Sequence, residues 1–260
     1  MSRRGGEDDE IDELAERDRT RQVGPSHVAV AVASVVTVLL LGWLGWSTLT
    51  SSSGDSSSSY DTNVYVVRTG DTLASVAAMQ AVTAEALAGA NGLGADAALT
   101  AGTRLTVPPP EPSGSLPQGL AGNDDLLALR PTFEKWAREY DVPVVLLEAD
   151  LWQESNWDND AVSSDGAVGI GQLLPSTAQY INDTILGGAD LDPSDPSDNI
   201  QLSAAYFQYL LEGSDGSWAE ALASYFAGPT SAQSSAAWDA ATVAYVTKGM
   251  GYVPDFSSDG

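Results

Sequence analysis

The sequence predicts a mainly α-helical protein that carries one small mixed unit and one membrane-crossing helix. Three observations predict it. Residues 125–250 fall into apolar-periodic tracts broken by Gly, Pro, Asp and Ser, with no strand–helix alternation that would indicate a parallel sheet. Residues 28–49 contain no charge, and roughly 20 residues at 1.5 Å each cross the ~30 Å hydrocarbon core. Residues 65–107 open and close on short β-branched runs that enclose two helical stretches.

Taken in order, residues 1–26 are charged and poor in apolar side chains, which predicts a disordered tail. Residues 27–49 form the expected transmembrane helix, with Trp43 and Trp46 near one end, where interfacial anchors sit. A secretory signal has an apolar core of only about 7–15 residues and a small-x-small cleavage site. This run is longer and no such site follows, so a retained anchor is expected. Five arginines (Arg3, Arg4, Arg17, Arg19, Arg21) precede the span, and six Lys or Arg are spread over the much longer remainder. That bias places the N-terminus in the cytoplasm and everything after residue 50 outside.

Residues 50–63 are a Ser-rich linker with an r.m.s. reach of about 20 Å. The unit at 64–108 comes next. Tyr65-Val66-Val67 reads as a strand, and Gly70-Asp71-Thr72-Leu73 as a turn into a capped helix. A second helix spans about Thr83 to Ala90, Asn91-Gly92 is a turn, and Gly102 to Pro108 is the closing strand. Residues 109–124, rich in Pro and Gly, read as a stiffer linker of about 50 Å when extended. Flanked in this way, 64–108 is expected to act as an independent module. Helical tracts then follow at 125–140, 143–155, 174–183, 196–213, 217–226 and 236–249, within a domain expected at 125–252, and 253–260 reads as a tail.

Composition narrows the chemistry. Cysteine is absent and His27 is the single histidine, so thiolate nucleophiles, His-based triads and His-rich metal sites are excluded. A formal net charge of −25 with only two lysines argues against a nucleic-acid partner. Nothing calls for a cofactor or a metal. The acidic run Asp190 to Asp198 lacks the Gly and terminal Glu of a calcium loop and reads as helix-capping aspartates. What remains is carboxylate chemistry.

Its candidate is Glu154. In the tract from Val144 to Gln153, Leu147 and Leu151 share a helix face with Glu154, which therefore closes an apolar stripe where the chain turns away. Desolvation there raises a carboxyl pKa, and a carboxyl kept protonated can protonate the leaving oxygen of a glycosidic bond. Asp150, one turn earlier on the same face, adds like-charge repulsion. Inverting and retaining two-carboxylate mechanisms place their pair across the bond, so a group on the same side does not supply the second carboxylate. Asp158, Asp160 and Asp165 fall on the following loop and read as solvated.

The run Glu154, Ser155, Trp157, Ala161, Ser163, Gly166, Ala167, Gly169, Gln172 and Pro175 resembles the lytic transglycosylase family, with ten matches in register. Asp195-Pro196 to Asn199-Ile200 and Ala223-Ser224-Tyr225-Phe226-Ala227-Gly228-Pro229 resemble two further motifs of that family. Two departures stand out: Phe226 occupies the place of a usual Asn, and Gly171 that of a common Met. The unit at 64–108 resembles a LysM domain through Tyr65, Val67, Gly70, Asp71, Thr72, Leu73, Ala77, Leu87, Asn91, Gly102, Leu105 and Pro108.

These resemblances imply a goose-type lysozyme-like, all-helical catalytic domain beside a βααβ glycan-binding module. They imply Glu154 as the single acid–base, with Ser163, Gln172 and Tyr225 as substrate-binding residues. In the module they imply Gly70, Asp71, Thr72 and Asn91 as glycan contacts. The expected partners are peptidoglycan strands and, through the N-terminal helix, the membrane. The expected product is a 1,6-anhydro sugar. A muramidase on the same scaffold and an inert wall-binding scaffold are the alternatives that the residues leave open. Trp157 reads as core, with a sugar-stacking face as the alternative.

Overall fold

The computed structural model describes residues 58–232 and 238–257. The tail at 1–26 expected in the cytoplasm, the membrane span expected at 27–49 and most of the Ser-rich linker lie outside the described residues. Among the described residues, no single helix is long and apolar enough to cross a membrane.

The described residues belong to one compact unit. Its first part is a βααβ arrangement: β1 (Asn63–Val66), α1 (Leu73–Met79), α2 (Ala84–Ala90) and β2 (Arg104–Val107). The two strands pair antiparallel, Asn63 opposite Val107 and Tyr65 opposite Leu105. Side chains alternate across a strand, so Tyr65, Leu105 and Val107 fall on the inner face and meet Leu73, Val76 and Leu87 from the helices. Thr72 and Ser75 form a reciprocal capping box on α1, and Thr83 caps α2.

The remainder is helical: α3 (Asp124–Leu127), α4 (Arg130–Glu139), α5 (Val144–Ser155), α6 (Pro175–Tyr180) continued by a π-helical turn (Ile181–Ile185), α7 (Pro196–Gly213), α8 (Trp218–Ala227), α9 (Pro229–Ala232) and α10 (Ala240–Phe256). The tract expected at 125–140 is split between α3 and α4, with Pro131 in the first turn of α4, where its missing N–H costs nothing. The last helix runs past its expected end. Val253 and Phe256 are buried, so residues expected to lie in a tail belong to the core. Asp195 caps α7 by accepting from the Ser197 and Asp198 amides, which is the role expected of that acidic run.

Helix α5 is the axis of the domain. Seven consecutive residues, Leu146 to Trp152, are buried, so it is enclosed on all sides by α10, α4 and α7. Two of the seven are acids. Glu148 is satisfied by the Arg130 guanidinium at 3.0 Å. Asp150 belongs to the site described below. Asn156 and Trp157 both adopt left-handed backbone and turn the chain off α5. This swings Trp157 into an aromatic knot with Phe133, Trp152 and Phe256, its indole N–H donating to the Glu148 carbonyl at 3.1 Å. Trp157 is core, not an open sugar platform.

The βααβ unit is docked, which corrects the expectation of a module free on its linkers. The Arg68 guanidinium reaches Glu220 at 2.8 Å, with Arg68 5% and Glu220 13% exposed, and lies 3.9 Å over the Trp238 ring. The Trp218 amide donates to Asn63 Oδ1 and its indole N–H to the Tyr60 carbonyl. Helix α1 packs against α10, and β1 against α8. The stretch 109–124, expected to be an extended spacer, is also tied down. Leu120 is fully buried, and the Ser113 amide donates to the Pro254 carbonyl.

Candidate active site

Glu154 stands on the last turn of α5 at the wall of a cleft of about 540 Å³. Ser163, Gln172, Tyr206, Tyr225 and Phe226 share the lining. The structure therefore brings together all four residues expected at this site.

Each has a second task within the fold. Ser163 Oγ accepts the Ala167 amide at 3.0 Å and holds the Gly-rich loop closed. Gln172, at φ 46°, donates its side-chain amide to the Ala161 and Gly169 carbonyls. The Tyr225 hydroxyl donates to the Gly171 carbonyl at 2.7 Å. Asn199 of α7 is the loop's buried anchor: its Oδ1 accepts the Gly171 amide at 2.8 Å, and its Nδ2 donates to the Val168 and Pro193 carbonyls.

The loop's glycines answer to this packing. A Cβ on Gly169, at φ 74°, would overlap the Asn199 amide. A Cβ on Gly171 would overlap Ser203 Oγ and come within 2.9 Å of the Tyr225 hydroxyl. The departure at Gly171 thus has a physical account, since Ser203 and Tyr225 occupy the space a side chain would need. The departure at Phe226 has one too. Its ring is 48% exposed at the cleft and stacks on Tyr245 with centroids 4.6 Å apart. It covers Tyr245 and presents an apolar face where a polar one was expected.

Tyr245, on α10, is the site residue that sequence reasoning missed. Its hydroxyl contacts Glu154 Oε1 by a short hydrogen bond and Asp150 Oδ1 at 2.8 Å. A tyrosine in an apolar helix reads as core, and no local signal shows that its hydroxyl will lie between two acids on another helix. Burial raises the Glu154 carboxyl above its ordinary range, against the pull of the Tyr245 hydrogen bond and of Lys248. Asp150 is fully buried. Burial, and then the Glu154 charge, push its carboxyl far above the usual carboxylate range.

The four residues expected to contact glycan in the βααβ unit do not line this cleft, and each is engaged within its own fold. Gly70 makes the turn at φ 93°. Asp71 accepts from the Tyr65 hydroxyl and the Arg68 amide, both at 2.7 Å. Thr72 caps α1. Asn91 ties the Leu87 and Thr106 carbonyls and the Thr106 amide together.

Comparison with known proteins agrees with this division. Residues 131–242 match the family model of the transglycosylase SLT domain, and residues 65–108 that of the LysM domain. The chain thus carries a lytic transglycosylase-type SLT domain preceded by a LysM domain. Among curated relatives, the membrane-bound lytic murein transglycosylase F of Maricaulis maris is 40% identical over 106 residues, covering 38% of this chain and 22% of the relative. Membrane-bound lytic murein transglycosylase F 1 of Alkalilimnicola ehrlichii is 42% identical over 89 residues, covering 34% of this chain and 17% of the relative. The chain therefore spans about a fifth of the length of these relatives. A solved structure, an inactive mutant of lytic transglycosylase Slt from Pseudomonas aeruginosa, aligns over 52% of this chain and 25% of its own, with a TM-score of 0.45 and 25% identity.

Proposed function

We propose that this protein is a membrane-anchored peptidoglycan lytic transglycosylase with a lysozyme-like catalytic domain. It cleaves the bond between N-acetylmuramic acid and N-acetylglucosamine and leaves a 1,6-anhydromuramic end. The observation that carries the reading is the position of Glu154: a half-buried carboxyl, raised above its ordinary range by burial, on the wall of an open cleft. Among the described residues, no second carboxylate besides Asp165 is in the lining. Asp165, the other acid there, sits on the loop that Ser163 closes.

In this reading Glu154 donates its proton to the glycosidic oxygen as the bond to the muramic C1 breaks. The muramic N-acetyl carbonyl oxygen stabilises the cationic carbon. The Glu154 carboxylate then takes the proton of the C6 hydroxyl as that oxygen closes on C1. Ser163, Gln172 and Tyr225 shape the wall that orients the sugar, and Phe226 offers it an apolar face. The LysM domain holds the glycan near the cleft, with Gly70, Asp71, Thr72 and Asn91 shaping its binding turns. Residues 27–49 anchor the chain with its N-terminus in the cytoplasm and both domains outside. The domain limits drawn from the sequence belong to the same proposal, 64–108 as expected and 125–252 extended to Phe256, which is buried in the core.

Digestion of purified peptidoglycan with mass analysis of the products tests the reading. An anhydro product, lighter than the hydrolytic product by one water, is expected. A product that has gained water identifies a muramidase, and no soluble product identifies an inert scaffold.

A further inference from the structure

The Asp150–Tyr245–Glu154 arrangement has a proton count that the acid–base role of Glu154 alone does not explain. A tyrosine hydroxyl carries one hydrogen and can donate it to one acceptor at a time. Tyr245 nevertheless contacts a carboxyl oxygen of both acids. With both carboxylates ionised, one of these contacts would set two lone pairs against each other in a buried place. Asp150 has little else to support a charge: Oδ1 accepts from the Gln153 amide at 2.6 Å, and Oδ2 is buried with no partner.

The titratable and charged groups on the packed helices do not supply the missing proton donor. Lys248 of α10 gives its ammonium to the Gln153 carbonyl, and its charge favours the ionised forms of both acids from a distance. Arg130 of α4, with Glu134 beside it, is committed to Glu148. Tyr225 of α8 donates to the Gly171 carbonyl, and Tyr206 of α7 stands beyond Tyr225 with its ring against it.

Resting on the function proposed above, we infer that Asp150 is a positioning residue that shares one acid proton with Glu154 through the Tyr245 hydroxyl. The proton has two placements. In one, Glu154 is protonated and donates to Tyr245, which donates to the Asp150 carboxylate. In the other, the order is reversed. A concerted shift of two hydrogens interconverts them without bringing in a proton from solvent.

The consequence for the reaction is two-sided. Before bond cleavage the pair holds its one proton at a pH where a lone carboxyl at the cleft would have lost it, and the placement on Glu154 is the one that reacts. When that proton passes to the glycosidic oxygen and the C1–O bond breaks, two carboxylates face one tyrosine hydrogen. Glu154 is then a stronger base for the C6 hydroxyl proton, and O6 closes on C1. The proton returns to the pair, so the cycle needs no outside acid. Buried acids that interact this strongly titrate as a pair, with two macroscopic steps rather than one per residue.

The test is the pH–rate profile of three full-length proteins on soluble glycan. Asp150→Asn removes the neighbouring charge and leaves the Tyr245 hydrogen wholly for Glu154. The alkaline limb should move down by about one pH unit or more, with a roughly tenfold loss at pH 8 and a smaller loss at the optimum. Tyr245→Phe removes a donor that favours both ionised forms, and its alkaline limb should move up. Opposite movements are the signature of a shared proton. A fall in rate with the limb unmoved in both variants would show a structural role and overturn the inference.

A second measurement does not depend on turnover. In wild-type protein labelled with ¹³C at the Asp and Glu carboxyls, the two resonances assigned by Asp150→Asn and Glu154→Gln should move together in two steps. The upper step should lie above the ordinary carboxylate range near 4. Independent single steps within that range would overturn the inference even if the enzyme proved active. Coupled steps in a protein without activity would leave the pair intact and discard the proposed reaction.

Discussion

The two ends of the described chain use polar side chains in opposite ways. In the LysM domain every polar residue singled out is spent on local geometry: Asp71 on one turn, Thr72 on a cap, Asn91 on the bond between a helix end and a strand. All three make their hydrogen bonds within the module. In the SLT domain the polar residues of the wall are spent in the same way, but the two acids behind it are not. Asp150 keeps a carboxyl oxygen without a partner and competes with Glu154 for one hydroxyl. Buried polar groups are normally paired; Gln80 Nε2 in the LysM domain is also without a partner, but among the described residues Asp150 is the acid left so. The difference teaches where to look for chemistry: at the groups left in want of a proton, rather than at the densest polar network.

The largest effect expected falls on the unsatisfied side. Glu154→Gln should lower the release of soluble fragments from peptidoglycan by at least about 10²–10⁴-fold while the circular dichroism of the fold is kept. Retention of more than about a tenth of the wild-type rate would remove Glu154 from the acid–base role. The same variant sharpens the energetic contrast. The folded pKa of Glu154 is raised, so its contribution is fully present below the unfolded pKa near 4.3 and is lost as pH rises through the folded value. Gln has no such loss. The melting temperature of the variant relative to wild type should therefore climb between pH 5 and pH 8, and a constant offset would contradict the raised pKa.

Next in size is the junction between the regions. Arg68→Ala leaves Glu220 buried and unpaired, and breaking such a pair by removing one partner costs about 3–5 kcal/mol. In thermal unfolding that corresponds to a drop of roughly 6–20 °C for a unit of this size. A split into two transitions would show that the junction is what makes the described residues one cooperative unit. An unchanged melting curve would restore the picture of a module free on its linkers.

A smaller effect is expected inside the loop. Gly171→Ala drives a Cβ into Ser203 Oγ and should cost about 1–3 kcal/mol by overpacking, a good part of it recovered by adding Ser203→Gly. Chemical denaturation of the single and double variants checks this, and strict additivity of the two would deny the contact. The smallest effect should come from the satisfied side. Asn91→Ala removes bonds to Leu87 and Thr106 at a half-buried turn and should cost about 1–2 kcal/mol without moving the pH–rate profile. A shift in that profile would break the separation drawn between the two regions.

What the sequence determined by itself is what depends on near neighbours along the chain. The 3.6-residue apolar period placed α5 at 144–155, one residue from its expected start. The Asp195 cap and Pro196 fixed the start of α7, and Gly70, Thr72 and Asn91 marked the turns of a βααβ unit. Ser163 and Gln172 were expected at the site through the family resemblance of the run from Glu154 to Pro175, and the loop that carries them does line the cleft beside Glu154.

The tertiary structure alone decided the rest. The Arg68–Glu220 pair joins residues 152 positions apart, and the Tyr245 hydroxyl comes from 91 positions beyond Glu154. No period or cap encodes such a meeting. It follows from how α10 lies across α5, which is set by the summed packing of Val246, Met250, Val253 and Phe256 rather than by any single residue. For the same reason the sequence could place Asp150 beside Glu154 on one helix face but could not say whether it met solvent, a cation or another acid's proton. That answer belongs to the neighbouring helix.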